Sequence, residues 1–417
     1  MVNGDDLAAV RSKNLVKALS WFIAMLLGAI LGWMQIGTIN ELCGFIAQVF
    51  TRLFQFVAVP VICLAVITTL AELGTRRETG RIFGHALFYT LTTTFCAAFV
   101  ALLLFVWIAP ENVPLPSGTT VPEKLGSLSY YQHFLSVIPN NVLQPFLAGN
   151  VLSVLLVAAS VGLALAFMPK SDKRDTVVCF FQGMQELLFT LIRGLLAILP
   201  VGICAFTAQL ASQIEAGVIV GALGKYTAVV IGGNLLQFFV VIPLFLLARK
   251  VNPIQVFKGM FPALAIALFS KSSAGTLPVT LASAENNLHL HPKVTRFVLP
   301  ICTTINMNGC AAFILVTSLF LMQNANVPLT TGTICVWLFV SILAAVGNAG
   351  VPMGCYFLTL SLMSSINVPV DLMGVILPIY AIIDMIETCV NVWSDSAVAT
   401  MTHYDLRETL ADLPQTA

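Results

Sequence analysis

Ten long apolar blocks make up most of this chain, and two of them are broken at their centres. Continuous blocks run over 17–35, 42–71, 83–109, 138–169, 176–211, 217–248, 291–322 and 369–402. An α-helix needs about 20 apolar residues to cross a bilayer core, so each of these is read as a span. Two further blocks, 254–283 and 330–366, are interrupted. The breaks read Ser270-Lys271-Ser272-Ser273-Ala274-Gly275-Thr276-Leu277-Pro278 and Gly347-Asn348-Ala349-Gly350-Val351-Pro352-Met353-Gly354. Inside hydrocarbon the backbone must satisfy its own polar groups, so such a centre favours two short helices meeting at a tip, a re-entrant hairpin. Charged residues make up only 9% of the 417, against 58% hydrophobic, and mean hydropathy is +0.93. A soluble domain carries about 25% charged residues. The predicted fold class is therefore all-α and polytopic: eight transmembrane helices plus two re-entrant helical hairpins.

Charge placement supports that count. With both termini cytoplasmic and eight crossings, the inner loops hold Arg76, Arg77, Arg81, Lys170, Lys173, Arg174, Arg249, Lys250, Lys258, Lys293, Arg296 and Arg407. The outer side holds Lys124 and, at a helix start, Lys225. This is the positive-inside asymmetry, and counting either broken block as a full span would spoil it. Arg11, Lys13 and Lys17 precede the first block with no small-residue cleavage site after it, which predicts a retained first helix rather than a signal peptide. Segment 110–132, with four prolines and Tyr130 and Tyr131, is the one long outer loop. A net charge of +1 gives no electrostatic case for nucleic acid. The ten cysteines are scattered singly, which predicts reduced, buried thiols and neither a disulfide framework nor zinc.

The second half alternates broken block, full helix, broken block, full helix, and the two units enter from opposite sides. Inverted repeats with paired discontinuous elements are a transporter pattern, with the site near the midplane between the tips. The last helix supplies the chemistry. Stepping about 100° per residue from Asp384, residues Glu387, Thr388, Asn391 and Asp395 share one stripe roughly 100° wide. A polar stripe at that depth must face protein or a water-filled cavity. Three carboxylates together repel, so the stripe calls for a cation, a substrate amine or protons.

Other polar segments are less specific. Thr303-Thr304-Ile305-Asn306-Met307-Asn308-Gly309-Cys310 predicts a local unwinding whose carbonyls suit a hard cation, against the plainer reading of a small-residue helix contact. Thr90, Thr93 and Thr94, beside Tyr89, lie at helical spacing and either touch an ion or simply back-bond. Lys271 at the first tip either snorkels or partners Glu387 or the substrate. Arg52 and Arg193 read as structural charges, and the His289/His291 pair as a loop feature rather than a metal site. An intramembrane aspartyl dyad of Asp384 and Asp395 is excluded by distance. Eleven residues on one helix separate them by about 16 Å at 1.5 Å per residue, whereas a shared proton needs about 3 Å. Hairpin tips meeting at the midplane fit a gated site better than an open channel.

The motifs Ser272 through Thr280, Thr304-Ile305-Asn306-Met307-x-Gly309, Gly350-Val351-Pro352 and Asp384 through Asp395 resemble the dicarboxylate/amino acid:cation symporters, the glutamate-transporter family. The resemblance covers nearly the whole chain, including Gly80-Arg81 and Pro200-x-Gly202. It implies a homotrimer with an elevator mechanism in a plasma membrane (the inner membrane of a bacterium). Scaffold helices would fall in 1–75 and 138–216. The transport domain would comprise 76–110 and 217–408, with an outer loop over 111–137 and a polar tail over 409–417. It further implies Na⁺ as coupling ion, no organic cofactor, an amino-acid substrate and no enzymatic activity. Asp384 would hold the substrate amino group; Asn391, Ser273 and the Val351 backbone would hold its α-carboxylate, with Ser272, Cys310, Glu387 and Thr388 lining the pocket. One Na⁺ would lie on Asp395 with backbone oxygens of Asn306 and Asn391. A second would lie on Thr304 and carbonyls from Ala345 to Asn348.

Departures from the family pattern refine the expectation. Members carrying acidic amino acids have an arginine where this chain has Glu387, because a guanidinium fork pairs with the second carboxylate. The D-x-x-E-T reading here is similar to the serine/threonine branch. Cys310 stands for a threonine and Tyr380 for an aspartate, so a neutral, small or hydroxylated amino acid is expected. Acidic amino acids or C4-dicarboxylates, with Lys271 supplying the charge, are the alternative. Asn308 replaces an aspartate and Thr90 a tyrosine of the family's third cation site, where Thr93 and Thr94 also lie. That site has lost its charge, so fewer coupled Na⁺ are expected, and proton coupling through a neutralised Glu387 stays open.

Overall fold

The computed structural model describes residues 20, 23–74, 80–113, 138–148, 151–213, 216–346, 348 and 353–411. Val351, the arginines 76 and 77, Lys124, the residues before the first block and the outer loop from 114 to 137 lie outside the described residues. Every regular element among the described residues is helical. In chain order these are α1 (Ile23–Trp33), α2 (Gly37–Gly74), α3 (Gly80–Ile108), α4 (Gln144–Ala148), α5 (Val151–Phe167) and α6 (Asp172–Gln213). Then come α7 (Ala216–Leu236), passing through a π turn (Gln237–Val241) into α8 (Ile242–Ala248), followed by α9 (Pro253–Ser270) and α10 (Ser273–Asn286). The last five are α11 (Pro292–Ile305), α12 (Asn308–Asn324), α13 (Thr331–Val346), α14 (Gly354–Ser365) and α15 (Asp371–Ala411). Among the described residues four stretches are long and apolar enough to cross a membrane: Arg81–Ile108, Gly221–Ala248, Pro253–Ser270 and Pro292–Asn324. Two bent pairs pass that test if each is one span, within α6 (52°) and within α15 (67°). The exposed surface carries large apolar side chains such as Leu103, Trp107, Phe239 and Phe339, as lipid-facing helices do.

Both predicted breaks are present. The first block divides into α9 and α10, which pack against each other. Asn252 caps the start of α9, accepting from the Ile254 N–H at 3.0 Å ahead of Pro253 in the first turn. At its end Lys271 is left-handed (φ 55°), and the Ser272 hydroxyl opens α10 by accepting from the Gly275 N–H at 3.0 Å. The second break leaves Met353 left-handed too (φ 60°). Left-handed backbone at a non-glycine residue costs on the order of 1 kcal/mol and persists only where surroundings fix it. Lys271 and Met353 both carry that cost. α13 and α14 both pack on α12.

The seventh block is two helices, as the Asn-Met-Asn-Gly run predicts. α11 ends at Ile305, Asn306 and Met307 leave the helical region (ψ 67° and 64°), and α12 resumes at Asn308. α12 is the centre of the fold. Every residue from Asn308 to Met322 is buried, and α3, α7, α13, α14 and α15 all pack on it. A helix apolar all round belongs where neighbours surround it. α15 runs past α3, α9, α10, α11 and α12, so its polar stripe faces protein on every side.

A second group forms beside this one. α2 packs on α5 and α6, and α1 lies against α6 through Gly28 and Gly32. A Cβ on either glycine would meet the carbonyl oxygen of Cys204 or Ala208 at 2.3 and 2.2 Å, so only glycine allows that approach. Buried Arg174 ties the group together, donating to the Leu165 carbonyl at 2.9 Å and the Ala71 carbonyl at 3.1 Å. In the loop region after α10, the Arg296 guanidinium grips Glu285 at 3.0 and 3.2 Å and holds that carboxyl below its ordinary range. Arg249 pairs with Asp405 at 3.6 Å near the end of α15.

Candidate functional site

The stripe residues Asp384, Glu387, Thr388, Asn391 and Asp395 are all at most 5% exposed. Among the described residues, each carboxylate has one oxygen bonded and one without a hydrogen-bond partner. The Tyr380 hydroxyl donates to Glu387 Oε2 at 3.1 Å and lies 3.5 Å from Asp384 Oδ1. Asn306 Nδ2 donates to Asp395 Oδ1 at 2.9 Å. Asp384 Oδ2, Glu387 Oε1 and Asp395 Oδ2 are the orphaned atoms. A buried unpaired polar group costs about 1–3 kcal/mol, more when charged. Three in one stripe mark a surface shaped for a ligand.

The first break lies beside Asp384. From the first tip, Lys271 Nζ donates to the Ala381 carbonyl at 2.7 Å, one turn before Asp384, and its charge acts on that carboxylate. Ser273, next to the first tip, is buried. Thr388 back-bonds to the Asp384 carbonyl at 2.8 Å. Asn391 is already engaged: its Oδ1 accepts from the Gly309 N–H at 2.9 Å, and its Nδ2 lies 3.4 Å from Met307 Sδ and 3.5 Å from Cys310 Sγ.

The expectation of reduced, unpaired thiols is corrected at one place. Cys310, in the first turn of α12, and Cys355, in the first turn of α14, are disulfide-bonded with Cα atoms 5.6 Å apart. They are 45 residues apart in sequence, and the packing of α14 on α12 brings them together. Their sulfurs and a Glu387 carboxylate oxygen all lie within 4.8 Å of one another. Asn348 Nδ2 donates to both sulfurs, at 3.1 and 3.3 Å.

The residues expected to hold cations fall into three groups. Asp395 and Asn306 meet directly, and the end of α11 leaves carbonyls without intrahelical donors, so a carboxylate and free carbonyl oxygens stand together as a hard cation requires. Thr304 donates to the Ile301 carbonyl at 2.8 Å and keeps its lone pairs, while α11 packs on α13, which carries Ala345. The Asn348 N–H bonds the Ala345 carbonyl at 3.1 Å. The third group is internally satisfied: Thr94 donates to Asn308 Oδ1 at 2.7 Å, Thr93 to Asn306 Oδ1 at 3.3 Å, and Asn308 to the Ser394 hydroxyl. A closed neutral network offers little to an ion.

Tyr380, which the sequence marked only as a departure from the family pattern, bridges the carboxylates of Asp384 and Glu387, four and seven residues further along the same helix. One contributor escaped the sequence reading. Asn234, inside α7, donates from Nδ2 to the Val230 carbonyl at 2.9 Å and turns toward Gly309 an Oδ1 that has no hydrogen-bond partner among the described residues. A Cβ on Gly309 would stand 2.7 Å from that oxygen and 2.8 Å from Glu387 Cα. Gly309→Ala is therefore expected to cost about 1–3 kcal/mol, the usual toll of overpacking, read as a lower melting midpoint in detergent. An unchanged midpoint would show that α12 and α15 are not in close contact there.

The profile of the sodium:dicarboxylate symporter family matches residues 18–404. The chain is 27% identical to excitatory amino acid transporter 2 of Homo sapiens, with 94% of this chain and 79% of that protein aligned. It is 26% identical to the putative sodium-dependent excitatory amino acid transporter glt-3 of Caenorhabditis elegans, covering 93% and 82%. Excitatory amino acid transporter 1 of Ambystoma tigrinum is 27% identical over 77% of this chain and 70% of that protein. These relatives are transporters, not enzymes.

Proposed function

Because the chain belongs to the sodium:dicarboxylate symporter family, we propose that it carries a small neutral, hydroxylated amino acid across the membrane together with Na⁺. The observation that carries the substrate reading is Glu387, buried and bonded by the Tyr380 hydroxyl that also lies 3.5 Å from Asp384. Asp384 has an oxygen left for an ammonium, and Glu387 one for a hydroxyl donor. An acidic side chain would instead face a carboxylate, which repels it strongly in a desolvated site.

Asp395, Asn306 and the backbone at Asn391 hold the first Na⁺ in this reading, and Thr304, Ala345 and Asn348 the second. The hairpins are re-entrant, the termini cytoplasmic, and α3 and α7–α15 move as a transport domain against a trimeric scaffold of α1, α2, α5 and α6. The packing of α2 on α5 and α6 supports that division. A second reading keeps acidic amino acids or C4-dicarboxylates as cargo. The printed names of the relatives favour it, as does Lys271, whose charge reaches Asp384.

Proteoliposomes under an imposed Na⁺ gradient separate the two. Serine uptake is expected to exceed aspartate uptake and to collapse when Na⁺ is equal on both sides. Aspartate winning would replace the neutral substrate with the acidic one, and uptake driven equally by a proton gradient alone would move the coupling to H⁺.

A further inference from the structure

We infer that His291 and His403 form a pH-sensitive latch tying the start of α11 to the end of α15, closed while both rings are neutral and opened by a proton on either. His291 caps α11: its Nδ1 accepts from the Lys293 N–H at 3.1 Å, just after left-handed His289 (φ 54°). The His291 backbone N–H in turn donates to His403 Nδ1 at 3.2 Å. Each ring is thus held through the same nitrogen, as an acceptor. A backbone N–H can only donate, so neither Nδ1 carries a proton here and both rings are neutral, with hydrogen on Nε2. A proton on His291 Nδ1 removes the cap, and one on His403 Nδ1 removes the tie to α15.

The surroundings do not favour an imidazolium. His291 Nε2 is buried and has no hydrogen-bond partner among the described residues. A positive ring at the first turn of α11 opposes the dipole of that helix, and the two rings repel if both are charged. The carboxylates nearest in sequence are engaged. Glu285 of α10 accepts from Thr295 at 2.8 Å and holds Arg296, while Asp405 takes Arg249, which follows α8, and the Tyr89 hydroxyl of α3. Among the described side chains, the other ionisable groups at this end of these elements are basic or aromatic. They are Arg81 and His85 on α3, Lys250 after α8 and Lys258 on α9, then His289, Lys293, Tyr404 and Arg407 around the pair itself.

A proton is therefore kept off the closed form and binds the open one near the ordinary histidine pKa of about 6.5. The latch holds above that value and gives way as pH falls through it, the open-to-closed ratio rising roughly tenfold per ring by about pH 5.5. It joins elements on which the site depends: α10 begins at Ser273, α11 ends beside Asn306, and α15 carries Asp384 and Asp395. Acidification thus slows uptake. That consequence rests on the proposed function, the latch itself on geometry alone.

The test uses the full-length protein in proteoliposomes, with pH equal on both sides so that no proton gradient exists. Amide exchange over 288–296, corrected for its intrinsic rate, is expected to quicken roughly tenfold or more between about pH 7.5 and 5.5. Asparagine presents Oδ1 where histidine presents Nδ1 and takes up no proton, and it is a favoured cap. The double variant His291→Asn, His403→Asn is therefore expected to change less than twofold. Na⁺-driven uptake is expected to fall at least fivefold at the lower pH in the wild type and to stay level in the double variant. Wild-type exchange unmoved by pH would overturn the latch, a reading that holds even if the double variant fails to fold. A response that survives in the double variant would overturn it too, by assigning the effect to another group. Exchange that responds while uptake does not would overturn the control of transport. Exchange that behaves as expected without uptake of any amino acid at either pH would leave the latch standing and refute the proposed cargo.

Discussion

Glu387→Arg is expected to turn the pocket from neutral toward acidic substrates. The wild-type carboxylate lies at 1% exposure, with Tyr380 on one oxygen and, among the described residues, no hydrogen-bond partner on the other. For a dicarboxylate ligand the substitution removes a like charge and supplies a guanidinium fork. A charge-assisted hydrogen bond contributes about 1.5–3 kcal/mol, so the aspartate-to-serine uptake ratio should rise roughly a hundredfold once lost repulsion is added. Tyr380 accepts from the arginine where it had donated to the glutamate, so the bridge to Asp384 survives. Glu387→Gln separates the two contributions: it keeps the shape, removes the repulsion and offers no fork, and should move the ratio by a much smaller factor. The measurement is competition of unlabelled aspartate and serine against labelled substrate. An arginine variant that elutes like the wild type yet still prefers serine would show that Glu387 does not set selectivity.

Asp395→Asn is expected to weaken coupling at the first cation position. The carboxylate is fully buried, and Asn306 Nδ2 satisfies only Oδ1. An asparagine there can still accept from Asn306 through its Oδ1, so the fold contact is retained while the charge goes. A unit charge about 4 Å from a cation is worth about 4 kcal/mol at an effective dielectric of 20. Part of this is offset because a buried carboxylate is itself costly. A roughly hundredfold rise in the Na⁺ concentration giving half-maximal uptake is the expected result, with little change in melting midpoint. Unchanged Na⁺ dependence would remove Asp395 from the cation site. The contrast with Asn308 is informative. Its network with Thr94 and Ser394 is already closed, so substitutions there should alter stability more than Na⁺ dependence.

Much of this architecture was readable from local features. The break at Lys271–Ser272 follows from serine and glycine where a span would need continuous backbone pairing, and the helix break at Asn306–Met307 follows from two asparagines and a glycine at depth. The polar stripe of α15 follows from helical period alone, which explains why Asp384, Glu387 and Asp395 were found together. Asn391 was found too, though its partner was not. Which atom it would touch depends on where Gly309 arrives, 82 residues earlier in the chain.

Residue order thus determined the depth of each segment, the places where helices fail and the face on which charge gathers. These are properties of a short window of chain against hydrocarbon. Tertiary packing alone decided that Cys310 meets Cys355, that Asn348 turns onto both sulfurs, and that Asn234 crowds Gly309. Each joins groups whose approach is set by the close fit of surrounding helices, and no periodicity along one segment encodes that fit.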